Sequence, residues 1–164
     1  MDALRHARTT LFCRDLAASL RFYRDALGLQ VVEEKTLEGP AAGALLQLPA
    51  CRMRIALLAP SADADVIVGL FEIGGVELET LSPPQGRPAW GQVALVLETT
   101  RFDALQAAIE AGGHRWLTPP LRYPKPTASE RSPAGIYREM IAYDPDGVLV
   151  SVLQIDPLPE ESST

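Results

Sequence analysis

The feature that most restricts this chain is that one pattern is written in it twice. A short β-prone run, Thr9–Cys13, is followed by Asp15, a good helix N-cap. Leu16, Leu20, Tyr23 and Leu27 then recur at helical spacing until Gly28 stops the helix. Leu29–Val32 begins a strand, and Arg52–Leu58 and Val66–Phe71 read as two more. After residue 90 the order β-α-β-β-β starts again. Gln92–Leu97 is a strand, and Phe102, Leu105 and Ile109 mark a helix that stops at Gly112-Gly113. His114–Leu117 is a strand ended by Pro119-Pro120, and Tyr137–Tyr143 and Val148–Leu153 are joined by the turn Asp144-Pro145-Asp146-Gly147. The offset between the halves is nearly constant: 84 positions from Arg8 to Gln92 and from Gly28 to Gly112, and 82 from Gly69 to Ser151. Offsets close to half of 164 residues predict an internal duplication.

The stretch Ser82–Pro88 has no periodicity and three prolines, so it reads as a linker. The expected organisation is a first module over 1–81, a linker over 82–90, a second module over 91–155 and a tail over 156–164. Within the second module, 119–135 reads as a long proline-rich loop that covers a site or a partner chain. Two helices cannot cover both faces of eight strands. Each sheet must leave one face for the other module, a partner chain or a ligand. The predicted class is α+β, with the tandem modules pairing into curved sheets around a cleft and the helices outside.

Charge narrows the partners. The net charge is −6, which argues against nucleic acid and against an anionic membrane surface, since both require a basic face. No apolar run approaches the roughly 18 residues of a membrane span, and Met1–Arg8 carries no apolar leader segment. Cys13 and Cys51 form no C-x-x-C pair, and a reduced cytoplasmic protein is the expectation.

Two motifs carry a family resemblance. Arg14-Asp15-Leu16-Ala17-Ala18-Ser19-Leu20-Arg21-Phe22-Tyr23-Arg24-Asp25-Ala26-Leu27-Gly28-Leu29 resembles the opening motif of the vicinal oxygen chelate superfamily, which includes glyoxalase I, extradiol dioxygenases and bleomycin-resistance proteins. Ala142–Val150, with its Asp-Pro-Asp-Gly turn, resembles the closing motif. The likeness spans roughly residues 6 to 155. It implies paired β-α-β-β-β modules with a cupped cavity, and in the family's enzymes a divalent metal held by a His and a Glu from each module. Carried over position by position, the four ligand places fall on Arg8, Gly69, Gln92 and Ser151. None is a good ligand. Arg8 is a permanent cation, Gly69 has no side chain, and Gln92 and Ser151 are weak neutral donors where imidazole and carboxylate are needed. A shifted ligand set would have to draw on His6, Glu72, Glu139, Glu77, Glu79 or His114. Glu72 points to the other face of a regular strand, and His114 lies away from the expected centre.

Strand alternation names the residues that share the face of Arg8: His6, Thr10 and Phe12 on the first strand. Ala94 and Val96 follow Gln92, Leu149 and Leu153 flank Ser151, and the penultimate strand contributes Tyr137, Glu139, Ile141 and Tyr143. Such a wall suits a small to mid-sized organic molecule with an anionic or carbonyl group. The expected roles are Arg8 as anion clamp and Glu139 as general base, with Gln92, Ser151, Tyr137, Tyr143, Phe12, His6 and Trp90 as ligand-binding residues and no metal or other cofactor. Against this stands a buried Arg8–Glu139 ion pair that merely fills the metal's place. Trp90 is either a lid or, more commonly for such a residue, packing between modules. His6 is an acid–base group or a solvated one, and Ser151 is a nucleophile only with a base beside it. The chain is thus expected either to sequester its ligand or to act as a metal-independent lyase or isomerase; the alternative is a metal-dependent glyoxalase-type lyase or dioxygenase with a shifted ligand set. Homodimerisation is expected.

Overall fold

The computed structural model describes residues 4–81 and 86–159. Their chain forms two compact units, Met1–Leu81 and Ser82–Thr164. Each carries a four-stranded mixed sheet.

In the first unit, β1 (Thr9–Cys13) leads into α1 (Leu16–Leu20), which continues as a π-helical segment over Arg21–Ala26. The Asp15 carboxylate accepts from the amides of Ala17 at 2.9 Å and Ala18 at 3.2 Å, two donors that a helix start leaves without partners. The segment ends at Gly28, whose φ of +79° is a left-handed conformation that an L side chain resists. Next come β2 (Gln30–Gly39), α2 (Pro40–Ala44), β3 (Cys51–Ala59) and β4 (Val68–Gly74). The sheet order is β1-β4-β3-β2, with β1 parallel to β4 and the other pairs antiparallel. Alternation sorts the side chains. Ala56, Leu58 and Leu70 are fully buried on the face that carries α1, as are Phe22 and Tyr23 of the helix. The other face carries Met53, Ile55 and Leu57, packed with Leu46, Val66, Phe71 and Ile73.

The second unit repeats the order with β5 (Ala94–Glu98), α3 (Phe102–Ala111), β6 (Trp116–Lys125), β7 (Gly135–Tyr143) and β8 (Leu149–Asp156). Its sheet runs β5-β8-β7-β6, with β5 parallel to β8. Phe102, Leu105 and Ile109 of α3 are buried, as are Met140, Val150 and Val152 of the sheet. Arg138 joins these layers: its guanidinium lies 4.5 Å from the Phe102 ring centroid and pairs with Asp103. The predicted turn closes on Asp144, whose Oδ1 accepts from the amides of Asp146 and Val148 at 2.9 and 2.8 Å.

The second unit corrects one expectation. Residues 119–135 are not one long loop: β6 continues through Pro119, Pro120 and Pro124 to Lys125, leaving only 126–134 outside the strands. A proline is excluded from a central strand because it has no N–H, but β6 is an edge strand, where a missing donor costs little. Register shifts between Trp116 and Thr118 and between Thr118 and Leu121 absorb the irregular stretch. Two other elements escape the sequence reading: β2 is ten residues long, and the short α2 follows it. Of the linker, Ser82–Gln85 lies outside the described residues, as does the tail beyond residue 159.

Candidate functional site

The first unit brings Arg8 onto Gly69. A β-carbon at position 69 would stand 3.3 Å from both Cδ and Nε of Arg8 and 2.9 Å from Cε2 of Phe71. The guanidinium lies 5.9 Å from the Phe71 ring centroid, and Phe12 meets Phe71 edge to face at 6.2 Å. Arg8, Gly69, Phe71 and Phe12 therefore form one patch on the face opposite α1, with Arg8 itself open to solvent. His6 is not part of it. It lies exposed before the strand, with Nε2 3.4 Å from the Thr9 hydroxyl.

The second unit gathers its candidates on the face opposite α3. Ser151 is buried and donates to Oε1 of Glu139 at 2.7 Å. Tyr123 donates to Oε2 of the same carboxylate at 3.1 Å. The Tyr123 ring stacks on Tyr137 with centroids 5.5 Å apart, and the Tyr137 hydroxyl donates to the Pro133 carbonyl at 2.9 Å. Lys125 donates to Ser129 and to the Ser132 carbonyl, holding the 126–134 turn beside this pair. Burial and the hydrogen bond to Glu139, reinforced by the charge of that carboxylate, push the Tyr123 phenol above its ordinary value. Tyr123 is the functional candidate the sequence did not reveal. Its only signal was the alternation Leu121, Tyr123, Lys125, hidden by prolines that read as strand breakers.

Other candidates are placed differently. Gln92 spends both ends on backbone: Nε2 donates to the Gly147 carbonyl at 3.1 Å, and Oε1 accepts from the Ala89 amide at 3.0 Å. It braces the entry to β5 against the β7–β8 turn. Tyr143 is buried, with the Arg115 guanidinium 4.9 Å from its ring centroid. Trp90 is fully exposed. A cavity of about 360 Å³ opens on the α3 side of the second sheet, lined by Phe102, Gln106, Arg122 and Arg138 among others. Its Arg138 is already engaged by Asp103 and Phe102.

The donors at the four ligand positions do not fit a divalent ion: one is cationic, one is absent, and two are neutral groups already bonded within the protein. Glu72 offers no substitute. It faces the helix side, where Oε2 accepts from the Leu16 amide at 2.7 Å and Oε1 lies 3.1 Å from Arg54. Among the described residues, no three His, Cys, Asp or Glu side chains are grouped as a metal site.

Two mixed four-stranded sheets, each with a helix between its first and second strands, define the class of protein. Residues 5–152 match the family model described as the Glyoxalase/Bleomycin resistance protein/Dioxygenase superfamily, and the chain belongs to that superfamily. No curated protein sequence matches it significantly. Among solved structures it is similar to a glyoxalase family protein from Bacillus cereus, with TM-score 0.68 and 16% identity over 95% of this chain and 97% of that one. It is also similar to a glyoxylase/bleomycin resistance protein/dioxygenase domain from Frankia sp. EAN1pec, with TM-score 0.58 and 15% identity over 99% and 96% of the two chains. A third is the trypanothione-dependent glyoxalase I of Leishmania major, with TM-score 0.57 and 16% identity over 93% and 87%. At such identities the likeness establishes the fold alone.

Proposed function

We propose that this chain binds a small to mid-sized organic molecule bearing an anionic or carbonyl group, and does so without a resident divalent metal. The observation that carries the reading is the Arg8 side chain laid across the bare Gly69 backbone. A guanidinium there repels a metal ion and attracts a carboxylate, enolate or phenolate. Sequestration of the ligand is the primary reading. The hydrogen-bonded Glu139 carboxylate of the second unit supports a second: Glu139 takes a proton from the molecule bound beside it. The protein is further proposed to work as a homodimer in a reducing cytoplasm, which suits its two buried cysteines, Cys13 and Cys51, neither of which is in a disulfide.

The test combines metal analysis with a charge deletion. Protein purified without chelator carries less than one divalent ion per ten chains, and benzoate binding measured by calorimetry weakens at least tenfold in Arg8→Ala. A stoichiometric ion, or unchanged benzoate binding in Arg8→Ala with lowered stability, overturns the reading. Incubation of bound ligand in heavy water separates the two modes: recovery unchanged means sequestration, and deuterium uptake abolished by Glu139→Gln means proton transfer.

A further inference from the structure

On the helix-free face of the second unit, the hydroxyls of Ser151, Tyr123 and Tyr137 have given their hydrogens and the Glu139 carboxylate keeps acceptor sites. Each hydroxyl has one hydrogen to give. Ser151 and Tyr123 give theirs to Glu139, and Tyr137 gives its own to the Pro133 carbonyl. The Lys125 ammonium is turned to Ser129 and the Ser132 carbonyl. Glu139 remains. A carboxylate has about four acceptor sites, and two of them are in use here. Beside it stands a flat wall, since the Tyr123 ring is stacked on Tyr137 and 39% of Tyr123 is exposed.

From this juxtaposition we infer that the second unit selects ligands carrying an O–H or N–H donor next to a flat ring, with Glu139 as the acceptor and Tyr123 as the residue that positions it. The inference rests on the proposed binding function and narrows its ligand class. Tyr123 acts in two ways. Its phenol fixes one oxygen of Glu139, so the free lone pairs point in a set direction. Its ring offers the surface on which a planar group stacks. Ser151, buried on the neighbouring strand, fixes the other oxygen.

Phenol and anisole test this, because they share a ring and differ in the donor. The readout is the ring resonances of Tyr123 and Tyr137 in full-length chain labelled with ¹³C-tyrosine, assigned through Tyr123→Phe and Tyr137→Phe. Phenol shifts these signals saturably and binds about tenfold more tightly than anisole, the worth of one hydrogen bond to a carboxylate. Glu139→Gln removes the charge and most of that preference. Tyr123→Phe keeps the ring and drops the donor that fixes Glu139, so the preference for phenol narrows while anisole binds as before; it serves as the folded comparison should Glu139→Gln unfold. Equal binding of the two probes, a preference that survives Glu139→Gln, or a preference undiminished in Tyr123→Phe overturns the inference. Failure of the anion reading is seen separately, as benzoate binding that is indifferent to Arg8→Ala while the preference for phenol stands.

Discussion

Gly69 is buried, and the Arg8 side chain occupies the space where a side chain at 69 would begin. The two positions are coupled sterically: any residue larger than glycine must displace either the guanidinium stem or the Phe71 ring. The coupling at Tyr123 is electrostatic. Burial and Glu139 both favour its neutral phenol, so its pKa is higher in the folded chain than in the unfolded one. A raised pKa contributes stability that is complete below the ordinary tyrosine value of 10.0 and is lost as pH rises through the folded value. Urea midpoints measured from pH 8 to 12 are therefore expected to fall more steeply above pH 10 for the native chain than for Tyr123→Phe. Parallel curves would show that the Tyr123–Glu139 bond is not formed in solution.

Among the elements, the start of α1 shows a sheet residue acting as a helix cap. Glu72 belongs to β4, yet its carboxylate takes the Leu16 amide at the first helical position and pairs with Arg54 of β3. Its side chain is only 22% exposed, so the bond is largely shielded from water. Glu72→Ala is expected to destabilise the chain by about 1–3 kcal/mol, the range for losing a helix-end hydrogen bond to a charged group, read as a lower urea midpoint at unchanged slope. A cost within 0.5 kcal/mol, the usual scale of a surface substitution, would assign Glu72 to the solvated surface. The direction of Glu72 was legible in the sequence, because a three-residue step from Gly69 on a regular strand changes face. So was the shared patch of Arg8 and Phe12, for the same period of two. Tyr123 was not legible. Local preference puts a stop at Pro119-Pro120, and only the place of β6 at the sheet edge makes those prolines tolerable. That is tertiary information, as is the tie of Gln92 to a backbone carbonyl in the β7–β8 turn.

At the scale of the whole molecule, the question is what covers the faces that the helices leave open. Phe12 is 52% exposed on the first sheet, and Val96 and Leu121 are 63% and 40% exposed on the second. An exposed large apolar side chain on each open face is a candidate anchor for association. The sheet edges are poor routes for association. β2 presents Glu33, Glu34, Lys35 and Glu38, β6 carries three prolines, and β1 and β5 are only five residues each. Association between copies is therefore expected to use the faces and to bury apolar side chains instead of pairing backbones. A stable pairing needs roughly 800 Å² from each partner, an area that one or two apolar anchors at the centre can dominate. Light scattering at tens of micromolar should then give twice the chain mass of 17.7 kDa. Phe12→Glu or Val96→Glu would place an uncompensated charge at that centre and return the mass to that of one chain, with the circular dichroism spectrum unchanged. A native protein that scatters as a single chain at every concentration would instead leave these apolar faces to the ligand, and would rule out the homodimer.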